Sequence, residues 1–446
     1  VLSLDLVVRW VYLIVKMEQT WMLVVLFRIA CIDTTIRNAC QHVPLNEVDG
    51  KIGRKLRFFQ DMLVNSLSGR QHFEKVYPTT CLVDWSMLNG AVLPAIHSFG
   101  GWHCFFLTRQ LQDFTKLQDA ARRNPELCVV PPQLTIGGFT HWSIMAFLPH
   151  IYSTGSHFFE SAFASRPETE ERREAQPEVG VLPQASRSLL PVHLYVMTRP
   201  VASGEWRHFA EWPPPSIPCC YLLVSEGRLL QSDCESLPHV PRTLGRRHSA
   251  GGGSWYDGGP VPSQHQGSTY VEYIYRPDNP TPSFGGATFH PFRCGSVRNN
   301  HLEARSDVLC FTTEPLTCEL TIIGVVSASL FVSSSARSAD FFVRLCDVLP
   351  GGASFNICDG ICRVQLADAP GSVACVEVEL SPIAYRFKPA HRIRLQLSSG
   401  AHPRFMRNMG TGEPFDKATF MCPALQRVYF SETYVSRLVL PIVESS

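Results

Sequence analysis

The sequence predicts an α/β layer followed by an all-β sandwich, on three observations. Between residues 91 and 140 a strand-like run, a glycine pair, a helical run and a second strand-like run follow in order, which is the repeating unit of an α/β sheet. After residue 190, short runs rich in Val, Leu, Ile and Phe recur with turn residues between them and no helical stretches, the pattern of a β-sandwich. The 33 Pro and 30 Gly set between these runs supply turns for many strands.

Taken in order, residues 1–90 read mostly as helix. Leu6 to Phe27 is apolar, but Arg9, Lys16 and Glu18 interrupt it, whereas a membrane span needs ~20 unbroken apolar residues. A buried helix pair is the expectation, and no small-residue cleavage pattern of a signal peptide follows it. Leu56, Phe59, Leu63 and Leu67 recur at helical spacing, with Gly69 as a stop. Ala91–Phe99 is a strand-like run ending at Gly100-Gly101. Phe105–Arg123 has helical period, with Phe106, Leu107, Leu111, Phe114 and Leu117 on one face. Leu127–Ile136 is the next strand-like run, ending at Gly137-Gly138. Residues 160–188 are charged with no apolar face, a surface helix or linker. The β runs then include PVHLYVM, YVEYIY, DFFVRLCDV, HRIRLQLSS and RLVLPIV. Residues 245–264 are Gly-rich and polar and read as a loop; a phosphate cradle would need a strand before it and a helix after it.

The bulk composition narrows the function. With 446 residues, 45% hydrophobic and 18% charged, the chain is globular and long enough for two or three domains. Forty basic residues against 39 acidic ones give a net charge of +1, so no nucleic-acid partner is implied. Most of the 16 Cys sit singly in apolar runs, as at Cys31, Cys128, Cys310, Cys346 and Cys375, where a reduced thiol acts as a small hydrophobe. There is no C-x-x-C, and Cys358 and Cys362 lack a second pair at zinc-ligand spacing. No N-x-[ST] acceptor is present. These features point to a cytoplasmic rather than a secreted protein, with no membrane partner.

The β half carries an ordered series of motifs. PVHLYVMTRPVASGEWRHFAEWPPP, IYRPDNPTPSFGG, residues 302–363, HRIRLQLSSGAHPRFMRNMGTGEP and SRLVLPIV together resemble the C-terminal domain of the cocaine-esterase and Xaa-Pro dipeptidyl-peptidase family. Gly285-Gly286 and Gly351-Gly352 permit turn geometry there. Asp307, Asp347 and Asp359 beside Arg305, Arg344, Arg363 and Arg394 read as a salt-bridged scaffold. Upstream, HVPLNEVDGKIGRKLRFFQDMLVNSLSGRQHFEKV resembles the family's cap segment. LPAIHSFGGWHCFFLTRQLQDFTKL resembles its acid-bearing strand and loop, and PPQLTIGGFTHWS its histidine-bearing one. The resemblance implies a partial α/β-hydrolase domain with a helical cap remnant at 1–150, a charged linker at 151–189, and a jelly-roll β-sandwich at 190–446. It also implies serine hydrolysis of a small ester or X-Pro peptide bond without metal or cofactor, and leaves a homo-oligomer open.

That chemistry needs a serine on a strand-to-helix elbow, a histidine that takes its proton, and a carboxylate that fixes the histidine tautomer. The resemblance places the base at His141. At the acid position, Gly101-Trp102-His103-Cys104 stands where the family has G-W-Y-D, so Cys104 replaces the carboxylate. Trp142 stands where the family favours glycine. No G-x-S-x-G occurs; Ser254 in Gly252-Gly253-Ser254-Trp255-Tyr256 comes nearest and lies in the β half. The first residue is Val, and by position the elbow belongs upstream of it. Asp113 is a candidate substitute acid, and a Cys104–His141 nucleophile pair is a further alternative, against a buried packing thiol. The expectation is an inactive or incomplete hydrolase whose Cys104 and His141 side chains approach within a few Å. Its rival is a non-catalytic binding or assembly protein built on the jelly roll.

Overall fold

The computed structural model describes residues 4–17, 34–63 (apart from 58 and 62), 92–164 (apart from 129 and 144–146), 190–199, 203–233, 254–257, 270–366 (apart from 291) and 371–444 (apart from 415). In chain order the elements are α1 (Leu4–Met17), α2 (Thr34–Gln41), α3 (Val48–Ile52), β1 (His97–His103), α4 (Leu107–Arg123), β2 (Gln133–Thr140), α5 (Leu148–Ala164), β3 (Val192–Val196) and β4 (Glu205–Phe209). Then come β5 (Ile217–Val224), β6 (Arg228–Ser232), β7 (Ser254–Asp257), β8 (Tyr270–Tyr275), a single helical turn α6 (Asn300–Glu303), β9 (Leu309–Thr312), β10 (Leu320–Gly324) and β11 (Ser327–Ser334). The chain closes with β12 (Ser338–Val348), β13 (Ser354–Gln365), β14 (Ala374–Glu379), β15 (Ile383–Phe387), β16 (Arg392–Ser398), β17 (Ala424–Tyr429) and β18 (Arg437–Ile442). This is the α/β plus all-β class that the sequence predicts.

Two compact units result. The smaller, residues 82–215, is a four-stranded sheet in the order β1-β2-β3-β4. β1, β2 and β3 run parallel and β4 closes antiparallel. α4 buries Leu107, Leu111, Phe114 and Leu117, the apolar stripe read from the sequence. Phe106 does not join it: it precedes the helix and is exposed. Both strands run further than the apolar pattern implies, through Gly100-Gly101 and Gly137-Gly138. A Cβ at Gly101 would strike the ring and carbonyl of Phe139, so the glycines permit close packing inside the sheet.

The larger unit joins residues 1–81 to residues 216–446. Its strands form one connected sheet in which β12 is an interior strand, paired to β13 and β16 and buried along its whole length. The glycine-rich stretch read as a loop contributes a strand here, since β7 pairs parallel with β13. Val8, Val11, Tyr12 and Val15 of α1 pack with Ile36, Val48, Ile52, Phe59, Leu63 and Met406. Arg9, which argued against a membrane span, is buried and paired with Asp5 at 2.8 Å. No described helix is long and apolar enough to cross a membrane. The compact units thus divide the chain elsewhere than the sequence pattern does. Helices before residue 64 group with the sandwich, and β3 and β4 extend the α/β sheet because β3 pairs with β2. Part of the segment read as linker, up to Ala164, is α5; residues 165–189, like Leu67 and Gly69, lie outside the described residues.

Charged motif residues hold the sandwich together from inside. Arg344 of β12 lies directly opposite Asp359 of β13 and donates to it at 3.2 Å; Arg404 donates to the same carboxylate at 2.6 Å. Four register positions along the same ladder, Arg363 makes a two-pronged bond to Asp340 at 2.6 and 2.7 Å. All five side chains are buried. Burial alone would raise the Asp359 carboxyl, but Arg404 and Arg344 outweigh it and hold it below the usual range. The sequence pairing is met at Arg305–Asp307 and Arg344–Asp359. It is corrected elsewhere: Arg363 takes Asp340, Arg394 takes Glu303, and Asp347 takes His391 and Tyr385. Gly286, with φ +77°, passes where a Cβ would lie 2.6 Å from Asp359 and 2.7 Å from Arg404. The reduced-thiol expectation is corrected at Cys220, which is disulfide-bonded; Cys346, Cys358, Cys362 and Cys375 are free and buried.

Two predictions follow from this packing. Asp359→Ala leaves two buried guanidinium groups without their carboxylate and should cost about 3–5 kcal/mol. Arg427→Ala, at the more exposed Glu272 pair, should cost under about 1 kcal/mol. Urea unfolding of both variants checks this, and equal losses would contradict it. In the smaller unit, His97 and His193 are held at about 4, chiefly by burial and further by neighbouring histidines, among them His150 beside both. They are therefore neutral in the fold. The unfolded chain takes up protons below ~6.5, so stability should be full above that pH, fall between pH 6.5 and 4, and level off below. His193→Gln should flatten the dependence; an unchanged slope would count against it.

Candidate active site

The site is built by the register of β1 and β2. The parallel pairing runs from His97–Gln133 to Gly101–Gly137 and resumes at His103–Thr140 after a shift. Because His103 and Thr140 are partners, the next residues on each strand, Cys104 and His141, leave the sheet side by side at its carboxyl edge. Open α/β sheets place their active sites there. The approach expected from the sequence is met: Cys104 Sγ lies 3.6 Å from His141 Nδ1.

Both loops are fixed locally. The Cys104 backbone N–H donates to the Gly101 carbonyl, and its carbonyl accepts from Leu107 at the start of α4. The Phe106 backbone amide is hydrogen-bonded to the Cys104 sulfur. On the other strand, the Thr140 N–H donates to Ser143 Oγ at 2.9 Å, and the Trp142 N–H to Thr140 Oγ1 at 3.3 Å. Beneath the site, Trp102 is buried and donates from Nε1 to the Tyr195 carbonyl at 2.7 Å. Gln110 donates to the Phe99 carbonyl at 2.6 Å.

Three aromatic rings flank the imidazole, which remains exposed. Phe105 lies 4.6 Å from His141 between centroids, Phe106 5.9 Å and Trp142 6.0 Å. The sequence flagged Trp142 but took Phe106 for a helix-face residue and said nothing of Phe105. Their signal was position alone, two aromatic residues directly after the acid site. Burial raises the Cys104 thiol above its ordinary value, the Phe106 amide opposing, and burial lowers His141. Both shifts favour the neutral forms. Asp113, the substitute acid weighed from the sequence, lies within α4, and the group at Nδ1 is the Cys104 sulfur. Ser254 lies on β7, in the other compact unit. Among the described residues no cluster of three or more His, Cys, Asp or Glu could hold a metal ion.

Known proteins match this chain over most of its length. Residues 185–439 match the X-Pro dipeptidyl-peptidase C-terminal non-catalytic domain. The chain is 28% identical over 442 residues to cocaine esterase from Rhodococcus sp. (strain MB1 Bresler), covering 94% of this chain and 67% of that protein. It resembles an aminopeptidase from a marine sediment Thaumarchaeota archaeon with TM-score 0.65 and 18% identity, covering 92% of this chain and 64% of that one. An α-amino acid ester hydrolase gives TM-score 0.58 and 20% identity over 91% of this chain and 64% of that one; both are likenesses of fold. The chain spans about two thirds of the length of each of these relatives. It belongs to the cocaine-esterase/Xaa-Pro dipeptidyl-peptidase family and carries the X-Pro dipeptidyl-peptidase C-terminal non-catalytic domain.

Proposed function

We propose that this chain is a serine-hydrolase family member of the esterase type whose acyl-transfer machinery is inactive within these 446 residues. The observation that carries the proposal is the contact of His141 Nδ1 with a thiol in the place of a carboxylate. His141 holds the position of the family's general base. A carboxylate there would hold Nδ1–H and stabilise the imidazolium formed when serine is deprotonated; losing it costs about four orders of magnitude in turnover. A thiol raised by burial carries no charge at neutral pH and cannot do this. No G-x-S-x-G elbow occurs in the sequence, so a serine nucleophile would have to come from residues other than these. On this reading residues 92–145 derive from the family's catalytic domain, whichever compact unit their neighbours join. The ancestral substrate class is a small ester, in keeping with the cocaine esterase and α-amino acid ester hydrolase among its relatives, with X-Pro peptides second.

A second reading, a binding or assembly role for the β domain, is favoured by one contrast. The buried carboxylates Asp340 and Asp359 of the sandwich both have arginine partners, whereas the acid position has lost its charge. Incubation of the chain with a fluorophosphonate probe, followed by peptide mass spectrometry, tests the proposal. No serine should be labelled stoichiometrically. Stoichiometric labelling of one serine would show a working nucleophile and overturn it.

A further inference from the structure

From the geometry at the ends of β1 and β2 we infer that Cys104 donates its S–H to His141 Nδ1, fixing the imidazole as the Nε2–H tautomer, so that its outer nitrogen is a proton donor instead of an acceptor. The consequence for catalysis rests on reading His141 as the family's base; the tautomer itself does not.

Two arrangements of the 3.6 Å contact compete. Either the thiol donates to the Nδ1 lone pair, or Nδ1–H donates to sulfur. Imidazole nitrogen is a strong acceptor and thiol sulfur a weak one, while a thiol proton is far more acidic than a neutral imidazole N–H. The first arrangement therefore matches the better acceptor with the better donor. The Phe106 amide already points at the sulfur, which uses sulfur as an acceptor and leaves its proton for His141. The third arrangement, thiolate with imidazolium, is disfavoured because burial works against both charges. A carboxylate at this position would accept only, force the proton onto Nδ1 and leave the Nε2 lone pair outward for a serine hydroxyl. The thiol reverses that polarity. Cys104 is thus a positioning residue, and its effect goes beyond the missing charge: the nitrogen that should take a proton already carries one. Activity is lost twice at a single substitution.

Long-range ¹H–¹⁵N correlation on the full chain, with labelled histidine and His141→Gln for assignment, reads the tautomer directly. In the unaltered protein above the His141 midpoint, Nδ1 should show the pyridine-type shift and Nε2 the pyrrole type. Cys104→Ser keeps a donor and should keep that pattern. Cys104→Ala should relax to a mixture in which Nε2–H is still the major form, as in an ordinary neutral imidazole, so that the two nitrogen shifts move part of the way toward each other. Cys104→Asp should exchange the two shifts and raise the His141 midpoint by about one unit or more. A pyrrole-type Nδ1 in the unaltered protein, or shifts in Cys104→Ala identical to those of the unaltered protein, would overturn the inference. If Cys104→Asp fails to fold, the serine and alanine variants still decide it. Failure here would leave the fluorophosphonate result untouched, and a labelled serine would leave the tautomer untouched, so the two readings fail separately.

Discussion

The sandwich depends on charges that are buried and must satisfy one another. Arg344, Asp359, Arg363 and Asp340 lie on the β12–β13 ladder, and Arg404 reaches Asp359 from the loop after β16. Isolated, each of these ions would carry a desolvation cost of several kcal/mol. Their positions are therefore fixed against one another. Arg344 also donates to the Phe284 carbonyl and to Asn299, and Arg363 to the Met406 carbonyl. This ties the turn at 284–299 and the loop at 401–408 to the same two strands. Met406 in turn packs against the α1–α3 helices, so one polar network reaches both the turns and the helical layer of this unit.

That constraint also explains what was legible in the sequence. Arg344, Asp359, Arg363 and the Gly285-Gly286 turn, singled out within the family-like stretches, belong to this network; Asp340 and Arg404 lie in the same stretches but were not singled out. The scaffold role of the charged pairs was readable, but which acid takes which base was not. That choice is made by register: Arg363 faces Asp340 across β12–β13, and no linear spacing encodes it. β7 was missed for a similar reason. Its four residues sit between glycine-rich segments and join a strand more than a hundred residues later. The extension of β1 and β2 through their glycine pairs was hidden because glycine breaks an apolar pattern even where a sheet needs its small size.

The site was legible to a different degree. Cys104 and His141 were found from the motifs around them, and the register shift between Gly101 and His103 brings them into contact as expected. The flanking aromatic rings were less visible, since Phe106 read as the start of the α4 stripe and Phe105 only as the first residue of the same helical run. Trp102 shows the other side of the same motif: it serves packing, buried and bonded to Tyr195. A thiol fits the acid position without disturbing these supports, because it is small and needs no charged partner. On the proposed reading, family membership and loss of the acid are thus compatible: the scaffold accommodates a thiol at Cys104 that acyl transfer could not use.

The central claim is that the site holds a neutral thiol–imidazole pair. The rate of Cys104 alkylation by iodoacetamide as a function of pH, followed by peptide mass spectrometry, tests it most directly. A neutral pair with a thiol raised by burial predicts a rate that is low at neutral pH and still climbing above the ordinary thiol value of ~8.5. A rate already at its plateau near neutral pH, the mark of a thiolate held by a charged His141, would contradict the account.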